Sequence, residues 1–161
     1  MKRLLLVAAI VILSCVAACG GGSNPTTPST TTPSTTAPST VMPGTPVAVE
    51  GGGTYWSVTP AQLHSLSPSG LFIVDADTAY IGEIANTALF INPSNISQNL
   101  DKFPSDKATK IVVYCASGMK SQAVAATLVK AGYTRVMELE GGIIAWMNQG
   151  YPTTNKTRTI T

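Results

Sequence analysis

The chain has 161 residues, 44% of them apolar and only 11% charged, with ten Lys/Arg against eight Asp/Glu for a net charge of +2. Two of those cations, Lys2 and Arg3, stand at the N-terminus, so the rest of the chain carries eight charges of each sign. Balanced charge with no basic run gives no electrostatic footprint for nucleic acid and no polybasic hold on a membrane surface.

Behind Lys2 and Arg3, residues 4–13 are unbroken apolar, and Val16-Ala17-Ala18 precede Cys19. So short a run, with charge in front and small residues behind, predicts a secretory signal rather than a spanning helix. The Val-Ala-Ala-Cys ending resembles the bacterial lipobox. That resemblance implies a signal peptide over 1–18 and lipidation of Cys19, with the protein exported and anchored on the extracytoplasmic side of the cell membrane. Ile12-Leu13-Ser14-Cys15 is a weaker match, because cleavage there leaves a very short apolar core. Residues 19–53 open with Gly-Gly-Gly-Ser and continue in Thr/Pro/Ser repeats. Across 20–40 there are too few large apolar residues to offset the entropy of ordering, so a disordered tether is expected, with its prolines favouring extended polyproline II.

Residues 54–153 make one domain with one core, and 154–161 a flexible tail. A short strand is expected at 55–58. Thr59 then caps a helix over 61–66, with Pro60 at its first position. After the Ser-Pro-Ser-Gly turn at 67–70, residues 71–74 form a strand buried on both faces and ending at Asp75. A short helix is expected over 77–83, a strand over 88–91 and a brief helix over 96–103. Ile111-Val112-Val113-Tyr114 is the most β-prone segment and should be the central strand. A helix over 121–131 follows, with Val124, Leu128 and Ala131 on one stripe and Gly132 past its end. A strand at 136–139 and a helix at 143–149 close the domain before Gly150 and Pro152. Strands alternating with helices over short turns predict an α/β layer with a parallel sheet, in which ligands sit beyond the carboxyl ends of the strands.

Cys115 stands at that end of the central strand and is the only cysteine of the domain. It therefore has no internal disulfide partner. Ala116-Ser117-Gly118-Met119-Lys120-Ser121 follows it, small and flexible residues rather than core ones. Such a loop lets several backbone N–H groups converge on the sulfur; the helix after it adds its positive end and Lys120 a full charge. Together these favour thiolate over thiol without a histidine base. The one histidine, His64, lies on the first helix and reads as a half-exposed helix residue. Trp56 and Trp146 read as core aromatics, and Glu138 and Glu140 as solvated charges.

The segment Tyr114-Cys115-Ala116-Ser117-Gly118-Met119-Lys120-Ser121 resembles the rhodanese active-site loop, Tyr-Cys-x-x-Gly-x-Arg-Ser. Leu128–Tyr133, Leu139-Glu140-Gly141-Gly142-Ile143-Ile144-Ala145-Trp146 and Gly150-Tyr151-Pro152 resemble the closing half of the same family. The resemblance implies a rhodanese-like three-layer α/β fold, a central parallel sheet flanked by helices. It also implies a sulfurtransferase that carries sulfane sulfur as a Cys115 persulfide. The donor would be thiosulfate, a persulfide or a polysulfide; the acceptor a thiol or cyanide. Residues 116–121 would bind the sulfur, with Asp75 in support and no cofactor. Asp77 stands where the family has arginine, Glu83 where it has histidine, and Lys120 keeps a charge but not the planar fork. Those departures motivate an alternative, a non-catalytic binding or sensing module on the same fold.

Rival chemistries lack residues. A cysteine phosphatase clamps phosphate with an arginine after five intervening residues, and that position is Ser121. Thioredoxin-type exchange needs a second cysteine, and one thiol with a distant histidine is a poor metal set. The sequence names no protein partner.

Overall fold

The computed structural model describes residues 41–156. The expected signal, Cys19 and the tether up to residue 40 lie outside the described residues, as does the tail from 157. Among the described residues no helix is long and apolar enough to cross a membrane.

The domain begins earlier than the composition suggested. Strand β1 (Thr45–Ala48) pairs antiparallel with β2 (Thr54–Val58), and Met42 and Val49 are buried. The segment 41–53 is therefore an edge hairpin and not tether. Its glycine run is the turn: Gly51, Gly52 and Gly53 all take positive φ, and Val49 N–H donates to Gly53 O at 3.0 Å. Only glycine adopts three such conformations in succession without strain.

Helix α1 (Pro60–Ser65) opens with the expected Thr59 cap, which is a full capping box. Gln62 N–H donates to Thr59 Oγ1 (3.2 Å) and Thr59 N–H to Gln62 Oε1 (2.9 Å). Strand β3 (Leu71–Asp75) follows, then β4 (Glu83–Ile84) and β5 (Thr87–Phe90). No helix forms over 77–83. Asp77 turns its own carboxylate onto Thr78 N–H at 2.7 Å, a local bond that competes with helix formation. Two 3-10 turns, Pro93–Gln98 and Leu100–Lys102, replace the expected brief helix. The chain continues through β6 (Lys110–Tyr114), α2 (Met119–Lys130), β7 (Val136–Leu139), α3 (Gly142–Asn148) and β8 (Thr153–Thr154).

The main sheet runs β1-β2-β7-β6-β3-β5, parallel throughout except at the β1 edge. This is a mixed α/β fold with a central, mostly parallel sheet between helices. Strand β6 is indeed central, and the strand period of two explains why it is apolar on both faces. Ile111 and Val113 join the cluster under α2 with Val124, Leu128 and Tyr133. Val112 and Tyr114 join the opposite cluster with Leu63, Met137, Ile143 and Trp146 from α1, β7 and α3. The start of the expected tail is also ordered. Strand β8 pairs with β4, Lys156 N–H donates to the Tyr80 hydroxyl at 2.7 Å, and Lys156 Nζ meets buried Glu83 at 2.9 Å.

Candidate active site

Cys115 is the first residue after β6 and is 1% exposed. The chain turns at Gly118 (φ 92°), and the Gly118 N–H points back to donate to Cys115 Sγ at 3.2 Å. A residue with a Cβ would be strained there, so this donor depends on glycine. Met119 then opens α2, with its side chain 78% exposed beside the loop.

The loop rests on the start of α3. Ile143 N–H donates to Cys115 O (2.9 Å) and Ile144 N–H to Ala116 O (3.1 Å). Gly142 makes the approach possible, because a Cβ there would collide with the Cys115 and Ala116 carbonyl oxygens. The Gly141-Gly142 pair after β7 is thus part of the site's floor.

Two carboxylates bracket this loop. On the outer side Asp77 Oδ2 accepts Ala116 N–H at 2.7 Å, while Oδ1 accepts Thr78 N–H and Lys120 Nζ, each at 2.7 Å. Lys120 also donates to Thr78 Oγ1 at 2.9 Å. Burial pushes the Asp77 carboxyl up, but the Lys120 bond, the two amides and the Lys120 charge outweigh it and hold the group below its ordinary value. The hydrogen bond it donates to Asp77, together with the nearby charges of Asp77 and Cys115, holds the Lys120 ammonium above its own.

On the inner side Glu138 is 0% exposed. Its Oε1 accepts Ser121 Oγ–H at 2.9 Å and its Oε2 accepts Ser57 Oγ–H at 3.3 Å. Burial pushes this carboxyl above the usual range despite both hydroxyls, and the charge of Glu140 adds to the effect. Ser121 is itself fully buried, 3.7 Å from Cys115 Sγ.

Several expectations change here. Glu138 is not a solvated charge: β7 runs inside the sheet, and α2 covers the face it shares with Val136. The Ala116 amide, expected on the sulfur, serves Asp77 instead. Ser117 is exposed, and of the predicted loop Gly118 and Ser121 face Sγ, at 3.2 and 3.7 Å. Asp75, expected in support, is buried one strand away, where its backbone O accepts Ile91 N–H at 2.9 Å. Its charge, after burial itself, helps raise the Tyr114 phenol. Asp77, two residues further on, brings its carboxylate to the Ala116 amide of the loop. A charge inside the apolar Val136-Met137-Glu138-Leu139 run was the available signal for Glu138; nothing in the sequence paired Asp77 with Lys120 across 43 positions. His64 is exposed and stacks on Tyr151 (4.2 Å between centroids), beside Trp146. His64 and Trp146 edge a cavity of about 210 Å³ that includes no residue of the 115–121 loop.

A cysteine at the carboxyl end of a central parallel strand, capped by a loop amide and the start of a helix, is an arrangement of an α/β protein that suits a cysteine nucleophile. The rhodanese-like domain family matches residues 59–149, more than half of the chain, and the chain belongs to that family. A sulfurtransferase from Allochromatium vinosum is 43% identical over 53 residues, covering 33% of this chain and 48% of that protein. Thiosulfate sulfurtransferase GlpE of Coxiella burnetii is 36% identical over 72 residues, covering 45% of this chain and 64% of that protein. The chain therefore spans less than two-thirds of the length of these curated relatives. Among solved structures, a rhodanese-related protein from Thermoplasma volcanium superposes with a TM-score of 0.55 at 27% identity, over 62% of this chain and 98% of that one.

Proposed function

We propose that this protein is a sulfurtransferase that carries sulfane sulfur on Cys115. The observation that carries the reading is the Gly118 N–H on Cys115 Sγ, in a loop that opens α2. Such a donor stabilises negative charge on the sulfur, and then on the outer sulfur of a persulfide. In the first step Cys115 thiolate attacks the outer sulfur of R–S–SH. The S–S bond of the donor breaks, RS⁻ leaves and takes up a proton, and Cys115–S–SH remains. In the second step an acceptor thiolate or cyanide attacks the outer sulfur and Cys115 thiolate departs. This is two-step covalent transfer of the ping-pong type.

The geometry favours a persulfide or polysulfide donor over thiosulfate. Lys120 is the only cation of the loop, and Asp77 already balances its charge at 2.7 Å. A donor whose reacting group is a dianion therefore meets little net positive field at Cys115, whereas the reacting group of a persulfide carries at most one charge. The departures at 77 and 83 do not favour the non-catalytic alternative, since Asp77 organises the loop and Glu83 is paired with Lys156.

Mass spectrometry of the protein after incubation with glutathione persulfide or thiosulfate tests both parts. The expected result is one added sulfur on Cys115, faster from the persulfide, and none in Cys115→Ser. No added sulfur from either donor sinks the transferase reading. Faster loading from thiosulfate sinks the donor assignment.

We also infer that the protein works outside the cytoplasm, tethered through a lipid on Cys19; the charged, apolar and small-residue order of 1–19 supports this. Cys19→Ala should release it from the membrane fraction, and unchanged membrane retention would refute the anchor.

A further inference from the structure

We propose that Glu138 is a positioning residue for Cys115, taking up the thiol proton through the Ser121 hydroxyl. The inference uses the sulfurtransferase reading only for its place in the cycle; the coupling itself is a property of three side chains. Cys115 Sγ lies 3.7 Å from Ser121 Oγ, and Ser121 Oγ lies 2.9 Å from Glu138 Oε1. Ser57 Oγ holds the far oxygen of the carboxyl at 3.3 Å, which fixes the near one toward Ser121. All three members of the line, Cys115, Ser121 and Glu138, are at most 1% exposed, so no bulk water competes for the proton.

Ser121 has one proton to give and three neighbours. The Gly118 carbonyl at 2.8 Å can only accept. Glu138 accepts when ionised and donates when protonated; Cys115 donates as thiol and accepts as thiolate. When Glu138 is ionised, Ser121 gives its proton to the carboxylate, the strongest acceptor present, and its oxygen is free to accept from the Cys115 thiol. Passing one proton along the line leaves Cys115 as thiolate, Ser121 donating to sulfur, and Glu138 as a neutral acid. No O–H or S–H bond is lost overall: one S–H is exchanged for one O–H on the carboxyl. Over the loading step the balance is Cys115–SH plus R–S–SH giving Cys115–S–SH plus R–SH.

The surroundings of Glu138 suit a proton acceptor. Strand β2 presents Ser57 and Tyr55, whose phenol feels the Glu138 charge after burial itself. Strand β6 presents apolar Val113 beside it, α2 presents Ser121, and its own strand end adds the Glu140 charge. None of these is a cation, so nothing there fixes the carboxyl in its ionised form.

The test follows alkylation of the Cys115 peptide by iodoacetamide in the full chain, from acid to alkaline pH, by mass spectrometry. Glu138→Gln keeps the shape and the Ser57 bond but cannot take a proton. It should slow alkylation at neutral pH by about tenfold and move the profile toward alkali. The full hundredfold of a lost base is not expected, because Gly118 N–H still supports the sulfur. Ser121→Ala should do the same, and the double variant no more than either alone. A Glu138→Gln profile that superimposes on wild type, or losses that multiply in the double variant, would overturn the proposal. Should Glu138→Gln fail to fold, Ser121→Ala decides alone by the same criterion. Sulfur loading measured on the same samples separates the two readings. Coupled alkylation without loading removes the transferase and leaves the relay, and loading with unshifted alkylation does the reverse.

Discussion

Asp77 and Glu138 touch the same loop from opposite sides and are driven in opposite directions. Asp77 meets an ammonium and two backbone amides, so its charged form is held in place. Glu138 meets two hydroxyls and no cation inside the core, so burial holds its carboxyl above the ordinary range. One functional group thus supplies a fixed ion pair at the rim and a proton acceptor behind the sulfur. Environment assigns the roles, because burial disfavours charge unless a counter-charge offsets it.

The floor shared by both sides gives the largest expected effect. Gly142→Ala drives a methyl into the carbonyl oxygens of Cys115 and Ala116. Thermal unfolding should show a loss of about 2–4 kcal/mol, with sulfur loading nearly abolished. Wild-type loading in that variant would mean that neither carboxylate depends on this floor.

Asp77→Asn breaks the rim side alone. The folded carboxyl is held below its ordinary 3.8, so its ionised form contributes stability above that pH and loses it as pH falls through the folded value. The variant should be about 1–2 kcal/mol less stable at neutral pH, with the gap closing below 3.8. Its loading from thiosulfate should rise relative to persulfide, since Lys120 is freed.

Glu138→Gln has the opposite sign. A folded value raised above 4.5 means that ionisation opposes folding, absent below 4.5 and growing as pH rises to the folded value. Denaturant unfolding at alkaline pH should find the variant more stable by about 1 kcal/mol, with the difference vanishing in acid. A destabilised variant at alkaline pH would place Glu138 with the structural residues, as Asp77 partly is. The smallest effect is expected from His64→Ala, which touches neither side. Loading should be unchanged, and stability should shift by no more than about 1 kcal/mol from the lost stack on Tyr151.

Much of the scaffold was legible because it rests on local rules. The Thr59-Pro60 cap, the two-faced apolar β6 and the Gly132 stop follow from the hydrogen-bonding needs of helix ends and the period of a strand. The β1 hairpin was not, because a Gly51-Gly52-Gly53 run reads equally as linker or as turn until Val49 and Met42 find a core to enter. The expected 77–83 helix failed because the Asp77 carboxylate takes the Thr78 amide locally and the Ala116 amide from the neighbouring loop.

The sequence by itself singled out the candidate nucleophile: one cysteine after the most apolar strand, followed by residues too small and too polar for a core. Only the tertiary structure decided how that atom is managed. Asp77, Ser57, Ser121 and Glu138 come from four separate segments, and the charge state of each carboxylate depends on what the fold places within about 3 Å of it. No local pattern in the chain encodes that distance.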